Sequence, residues 1–348
     1  MKRNMNRWLS DSMRADRKKS MPLLSFPGMS LIGTDVNQMA HRGDLQAKCM
    51  KAIADRYDMA GAVSPMDLSI EAEAFGNSVR FSAQEPPAVK DCIVSTMEDA
   101  LELAIPPVGA ARTGECIRGI ELAVHEITDR PVFTGVIGPF SLIGRLMDMQ
   151  KVLVNCRKEP GLLHVLLKKA STFLTAYIMA LKEAGANGVF IAEPAAELIA
   201  PRFHLEFSVP YIERIRARCE DDHFLCIYHN CGNTIPLLKG FVEHTSFRAL
   251  HLGNAIDMEE ALRLVPGELL VMGNIDPANV LCLGTPEHVW EVTLMLLKRC
   301  GRFRNFIISS GCDIPPTAPL ENIDAFFDAA AHFYGRESFL GKPALCRA

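Results

Sequence analysis

One histidine and two cysteines stand out in this 348-residue chain for what their types and spacing could do. His229-Asn230-Cys231 follows the apolar run 224–228, and Cys312 follows a second such run, 305–310. Both runs read as buried strands. Residues i and i+2 of a strand share a face, so His229 and Cys231 point toward one place at a strand end. Cys312 can join them from a neighbouring strand end. One imidazole and two thiolates suit zinc and leave its fourth position open, as in catalytic rather than structural sites. Two thiolates also lower the net positive charge of the site. That weakens activation of water and suits the site to a third thiolate, because a coordinating thiol loses its proton. The sequence has no His-Glu-x-x-His string of the kind many metalloproteases carry. The bland alternative is two inert buried thiols beside a core histidine.

Other polar residues at predicted strand ends are weaker candidates. Asp67, in Met66-Asp67-Leu68-Ser69, is read either as an acid/base or as a helix cap. Glu193 precedes Pro194 and could approach the metal or its ligand. Asn274 and Asp276 are read mainly as organisers of their loop. Tyr228 precedes His229 and points to the opposite side, where packing is its default role. Cys226 lies inside its strand and is assigned to the core, and His204, His223 and His251 are assigned to loops or the surface.

These residues need a scaffold that brings strand ends together. Eight short apolar runs are predicted as strands: 23–26, 61–64, 132–137, 188–192, 224–228, 248–252, 269–272 and 306–309. Helical periodicity lies between them, most clearly over 162–184, with Gly185 as the expected C-cap. Further helices are predicted over 259–264, 286–300 and 322–333, with Thr285 as an N-cap before Pro286. Alternation of strand and helix implies a parallel sheet with crossover helices, and eight units fit a closed (β/α)₈ TIM barrel of class α/β. A doubly wound open sheet is the second choice, but no Gly-x-Gly-x-x-Gly follows a strand. Residues 1–21 form a basic segment with an amphipathic helix over 4–17, and 22–340 a single barrel domain.

Composition narrows the function. Hydrophobic residues make up 49% of the chain, enough for a large core, and the net charge of −4 argues against nucleic acid as partner. No uninterrupted apolar run reaches the ~18 residues of a membrane span. The basic start lacks the apolar stretch of a signal peptide, so the eleven cysteines are expected to be mostly free thiols in a reducing cytoplasm.

At these residues the sequence resembles the uroporphyrinogen decarboxylase superfamily. Within it, it is most similar to the zinc-dependent corrinoid methyltransferases, the branch holding methylcobamide:coenzyme M methyltransferases. The resemblance spans about 22–335. It rests on Asp67-Leu68-Ser69-Ile70-Glu71, Gly138-Pro139-Phe140, His229-Asn230-Cys231, Gly273-Asn274-Ile275-Asp276-Pro277 and Gly311-Cys312-Asp313. It implies a (β/α)₈ barrel and zinc on His229, Cys231 and Cys312. It also implies methyl transfer between a corrinoid cobalt, as in methylcobalamin, and a thiol acceptor or a methyl donor. In thiol-methylating members a zinc-held thiolate attacks the methyl group on Co(III) and leaves Co(I). No Asp-x-His-x-x-Gly string occurs, so the corrinoid is expected from a partner corrinoid protein or free in solution. Glu193 and Asp67 are then the catalytic candidates, and Asn274, Asp276, Asn254 and Tyr228 the substrate- or corrin-binding ones.

Two departures qualify the likeness. Decarboxylases of the family carry an Arg-x-x-Gly-Arg string after the first strand, whereas here Ser25-Phe26-Pro27-Gly28-Met29 has no arginine. A porphyrinogen would lack its cationic clamp there. Asp67 nonetheless matches the decarboxylase aspartate, so tetrapyrrole decarboxylation stays as the main alternative, with a non-catalytic corrinoid-binding barrel as another. Some thiol-methylating members have an acidic residue near Gly253-Asn254. Its absence leaves the fourth zinc ligand open between water, Glu193 and none.

Overall fold

The structure, a computed structural model, describes residues 3–335. Lys2 of the basic segment and residues 336–340 of the expected barrel span lie outside the described residues. The strands are β1 (Ala62–Val63), β2 (Val79–Arg80), β3 (Ala88–Val89), β4 (Val132–Ile137), β5 (Gly188–Ala192), β6 (Leu225–Asn230), β7 (Ala249–Leu252), β8 (Leu270–Ile275) and β9 (Phe306–Ser310). Seven of them pair in parallel in the order β1-β4-β5-β6-β7-β8-β9, while β2 and β3 form a separate antiparallel hairpin. Helices connect the parallel strands, as crossovers require.

The eighth position of the ring is not a regular strand. The segment 20–23 fills it: Met21 N–H donates to the Ile308 carbonyl (3.0 Å), and Ala60 N–H donates to the Ser20 carbonyl (2.9 Å). Leu23 N–H donates to Ser310 Oγ (3.0 Å), and its carbonyl accepts from Ile314 N–H (3.0 Å). The expected strand 23–26 is thus corrected to an extended segment that ends in the turn Phe26–Gly28. Pro22 and Pro27 have no N–H to donate, which keeps this edge from forming a full ladder.

Side chains divide by strand parity into two cores. Val63, Phe133, Phe190, Ile227, Ala249, Met272 and Ile307 fill the barrel interior. Cys226, Tyr228, Leu250, Val271 and Ile308 face the surrounding helices. The helix Pro160–Glu183 shows why the outer layer holds: Leu162, Leu163, Leu166, Leu167, Phe173, Tyr177, Ile178 and Leu181 are all buried. Each such side chain contributes about 2 kcal/mol by leaving water. This helix ends at Ala184, with Gly185 at φ 106°, a left-handed conformation that glycine adopts without steric cost. Thr285 caps the helix Pro286–Cys300 by accepting from His288 N–H (3.3 Å).

The N-terminal helix, Met5–Arg14, closes the floor of the barrel. Met5 and Leu9 are buried in the interior core, Trp8 packs on Phe133 with centroids 5.3 Å apart, and Trp8 Nε1 donates to the Ala60 carbonyl (3.0 Å). Lys18 then anchors the strap to the last strand by donating to the carbonyls of Phe303, Arg304 and Phe306. Burial, helped by nearby Arg304, lowers its pKa to about 8.

Candidate metal centre

Along the inward faces of β6, β7 and β9, apolar residues give way to polar ones toward the C-terminal rim. Ile227 is followed by His229 and Cys231, Ala249 by His251, and Ile307 by Ser309. The strand β6 continues through His229 and Asn230, so His229 lies within the ladder and is held at register with His251 on β7. Cys312 lies just past β9.

His229, Cys231 and Cys312 bring their ligand atoms within 4.8 Å of one another. Cys312 Sγ is 3.6 Å from His229 Nε2. Zinc–sulfur and zinc–nitrogen bonds of roughly 2.3 and 2.0 Å place tetrahedral S and N ligands roughly 3.5 Å apart. The donor set and the spacing therefore both fit a zinc ion. The hydrogen bond from Cys312, with support from His229, lowers the Cys231 pKa to about 4. The same contact with Cys231, together with burial, pushes Cys312 up.

Glycines let the backbone close around the ligands. Gly253 N–H donates to the Asn230 carbonyl (3.0 Å), and its Cα faces the Cys231 backbone without room for a side chain. A Cβ on Gly311 would come within 2.7 Å of Asn254 N. Asp313 follows Cys312, and one of its oxygens accepts from Met66 N–H (3.1 Å) while Oδ1 is buried without a protein partner. Burial pushes this carboxyl up to about 8.

The remaining expected site residues sit elsewhere or bind their own surroundings. The buried Glu193 carboxylate accepts from the N–H groups of Phe140 (3.0 Å) and Ser141 (3.3 Å) and from Ser208 Oγ (3.1 Å). It caps the helix Pro139–Leu146, and burial raises its pKa to about 8. Asp67 pairs with buried Arg112 and accepts from Ser69 Oγ (2.6 Å). Arg112 also binds Glu73 (2.6 Å) and Ser69 Oγ (2.8 Å). Tyr228 faces outward, its ring tilted against Phe241 with centroids 4.1 Å apart, and its hydroxyl accepts from Asn230 Nδ2 (3.2 Å). Asn274 donates to the carbonyls of Gly253 (2.9 Å) and Ile256 (3.1 Å), bracing the loop beside Cys231. Asp276 caps the helical turn Pro277–Cys282 through the N–H groups of Ala278 and Asn279. Asn254, Asn274 and Asp276 line a cleft of about 250 Å³ toward Met295 and Arg299, and the three cluster residues are not among its walls.

Two histidines expected on loops or the surface are buried. His204 is 1% exposed and His251 0%. His251 Nδ1 lies 2.8 Å from His229 Nδ1, and its Nε2 lies 2.7 Å from Ser309 Oγ. Burial, with the neighbouring His229 as a second cause, pushes His251 well below the usual histidine range. Its signal in the sequence was parity: it lies two residues after Ala249 inside an expected strand.

Residues 21–333 match the profile of the uroporphyrinogen decarboxylase (URO-D) family. The chain belongs to the uroporphyrinogen decarboxylase family. Within the family it is 27% identical, over 77% of this chain and 78% of the relative, to a methylcobamide:CoM methyltransferase MtbA of Methanosarcina acetivorans. It is 25% identical, over 80% and 78%, to a uroporphyrinogen decarboxylase of Coxiella burnetii. Its fold matches that of a solved methyltransferase from Methanosarcina mazei with a TM-score of 0.82 at 21% identity, covering 94% of this chain and 98% of that one. The fold is thus the (β/α)₈-type barrel of its URO-D relatives. Among the described residues, no helix is long and apolar enough to cross a membrane.

Proposed function

We propose that this chain is a zinc-dependent methyltransferase that moves a methyl group between a corrinoid cobalt and a thiol acceptor or methyl donor held at the His229–Cys231–Cys312 cluster. The observation that carries this reading is the cluster itself: three ligand atoms within 4.8 Å of one another, one Sγ–Nε2 pair of them at the 3.6 Å that zinc ligands keep, on the rim of the barrel. The name of the methylcobamide relative supports the corrinoid half of the reading.

His229 and the two cysteines would hold the ion, and bound zinc supplies deprotonation of a substrate thiol at neutral pH. The hydrogen bond from Cys312 favours the thiolate form of Cys231. Gly253 and Asn274 fix the loop around Cys231, and Asp313, next to Cys312, is a buried carboxyl whose Oδ1 has no protein partner. The corrinoid that gives or takes the methyl group is brought by a partner protein or is free in solution. The ten described cysteines are all free, which supports a reducing cytoplasm.

Metal content and turnover test this together. About one zinc per chain is expected in protein purified without added metal, lost in Cys312→Ser, with demethylation of methylcobalamin by at least one thiol of a panel. Full transfer by metal-free protein would end the zinc reading. Release of carbon dioxide from uroporphyrinogen would favour a decarboxylase instead. The turn Phe26–Gly28 is buried and carries no arginine to bind its carboxylates, which speaks against that outcome.

A further inference from the structure

We infer that His251 and Ser309 are positioning residues that lock His229 in one tautomer, with its proton on Nδ1 and the Nε2 lone pair aimed at the metal position. The inference deepens the zinc reading and rests on it for its purpose, though not for its geometry.

The direction of every hydrogen bond follows from the end of the chain. Ser309 Oγ lies 2.7 Å from the Met21 carbonyl, which can only accept, so the serine hydroxyl donates there. Ser309 Oγ is then free to accept from His251 Nε2 at 2.7 Å, which places the His251 proton on Nε2. His251 Nδ1 is left with a lone pair. It faces His229 Nδ1 at 2.8 Å, so His229 Nδ1 must be the donor. A second contact agrees: the His251 carbonyl oxygen, also an acceptor only, lies 3.2 Å from His229 Nδ1. The proton of His229 therefore sits on Nδ1. Its Nε2 faces Cys312 Sγ at 3.6 Å, on the side of the metal position.

The relay runs through the barrel interior, shielded from water. His229, His251, Ser309 and Met21 are 2%, 0%, 0% and 0% exposed. Phe190 packs edge-on against the His251 ring at 5.6 Å and holds it in place. With no competing water, a switch to the other tautomer would set two lone pairs or two N–H groups against each other. Ligating histidines commonly depend on such an outer partner, and losing it typically costs 10- to 100-fold in metal affinity.

The test has two arms. In metal-free wild-type protein labelled with ¹⁵N-histidine, long-range ¹H–¹⁵N correlation reads the tautomer directly. A protonated Nδ1 on His229 is expected, and an Nδ1 without a proton would overturn the inference whether or not the protein binds zinc. In the second arm, Zn²⁺ affinity is measured by chelator competition. His251→Phe, which fills the site but cannot accept, should weaken binding about 10- to 100-fold. His251→Asn, whose Oδ1 can accept from His229, should stay within a few-fold of wild type. Equal affinity in wild type and His251→Phe, or equal losses in both variants, would sink the inference. Should His251→Phe not fold, Ser309→Ala removes the far anchor, and a mixed His229 tautomer population is then expected. An unchanged tautomer would count against the relay. Wild-type protein that fails to bind Zn²⁺ would refute the metal reading alone.

Discussion

Gly253 packs its Cα directly against the backbone of Cys231, so that a Cβ there would overlap both the Cα and the carbonyl oxygen of the ligand. Rigid backbone cannot yield as a flexible side-chain end can. Gly253→Ala is therefore expected to push Cys231 out of the cluster and to cost about 1–3 kcal/mol of stability. Gly267→Ala is the matched control, since its Cβ would meet nothing within 4 Å. Thermal unfolding and zinc content after dialysis should separate the two variants, and identical behaviour would show that the loop can relax.

Glu193 offers a test of structural against chemical roles. Its Oε1 serves two backbone N–H groups and its Oε2 the Ser208 hydroxyl. Glu193→Gln keeps one oxygen acceptor and gains an amide that can donate to Ser208 Oγ, so stability and zinc content should match wild type. Glu193→Ala strands the helix N–H groups and should cost about 1–3 kcal/mol. Loss of turnover in a stable, zinc-loaded Glu193→Gln protein would instead assign the carboxylate to the reaction.

Arg112 and Asp67 should behave as one unit. Both are buried, and Asp67 depends on Arg112 for its counter-charge. Arg112→Met leaves a buried carboxylate unpaired and should cost about 3–5 kcal/mol. Adding Asp67→Asn should recover part of that loss, measured as a coupling energy in denaturant unfolding. Strict additivity of the two single changes would contradict the pairing.

His204 predicts an acid limb. Burial lowers its pKa to about 4, against 6.5 as the ordinary value, and its Nε2 is buried without a protein partner. Between those values the unfolded chain binds more protons than the folded one. Its contribution to stability is thus complete above about pH 6.5 and is lost as pH falls toward 4, by at most about 3 kcal/mol. His204→Phe, which keeps a ring against Phe241, should flatten stability across that window. Parallel curves for variant and wild type would show that His204 is not the group titrating.

Local pattern made most of the barrel legible. Apolar runs bounded by polar residues located β4 and β5 to the residue, and strand parity sent Tyr228 outward and His229 inward. What pattern could not show is where hydrophobicity and hydrogen bonding part company. The strand β6 extends past its apolar run because His229 and Asn230 keep their ladder partners. The edge segment 20–23 has an apolar stretch but a proline, Pro22, that cannot donate. The burial of His251 is hidden because its partner Ser309 comes from a strand far away in sequence. Arg112 meets Asp67 across 45 residues with no local spacing to announce it.

The strap at residues 20–23 ties the age of the metal site to the topology of the ring. Met21 belongs to the first segment of the barrel and Cys312 follows its last strand, yet both bear on His229 through short contacts. During synthesis the ligand His229 emerges long before Cys312, and its orienting relay is complete only once the final strand has docked beside the strap. If the cluster holds zinc as proposed, a competent pocket is a late product of assembly, and metal uptake becomes a timestamp for the moment at which the circle of strands closes.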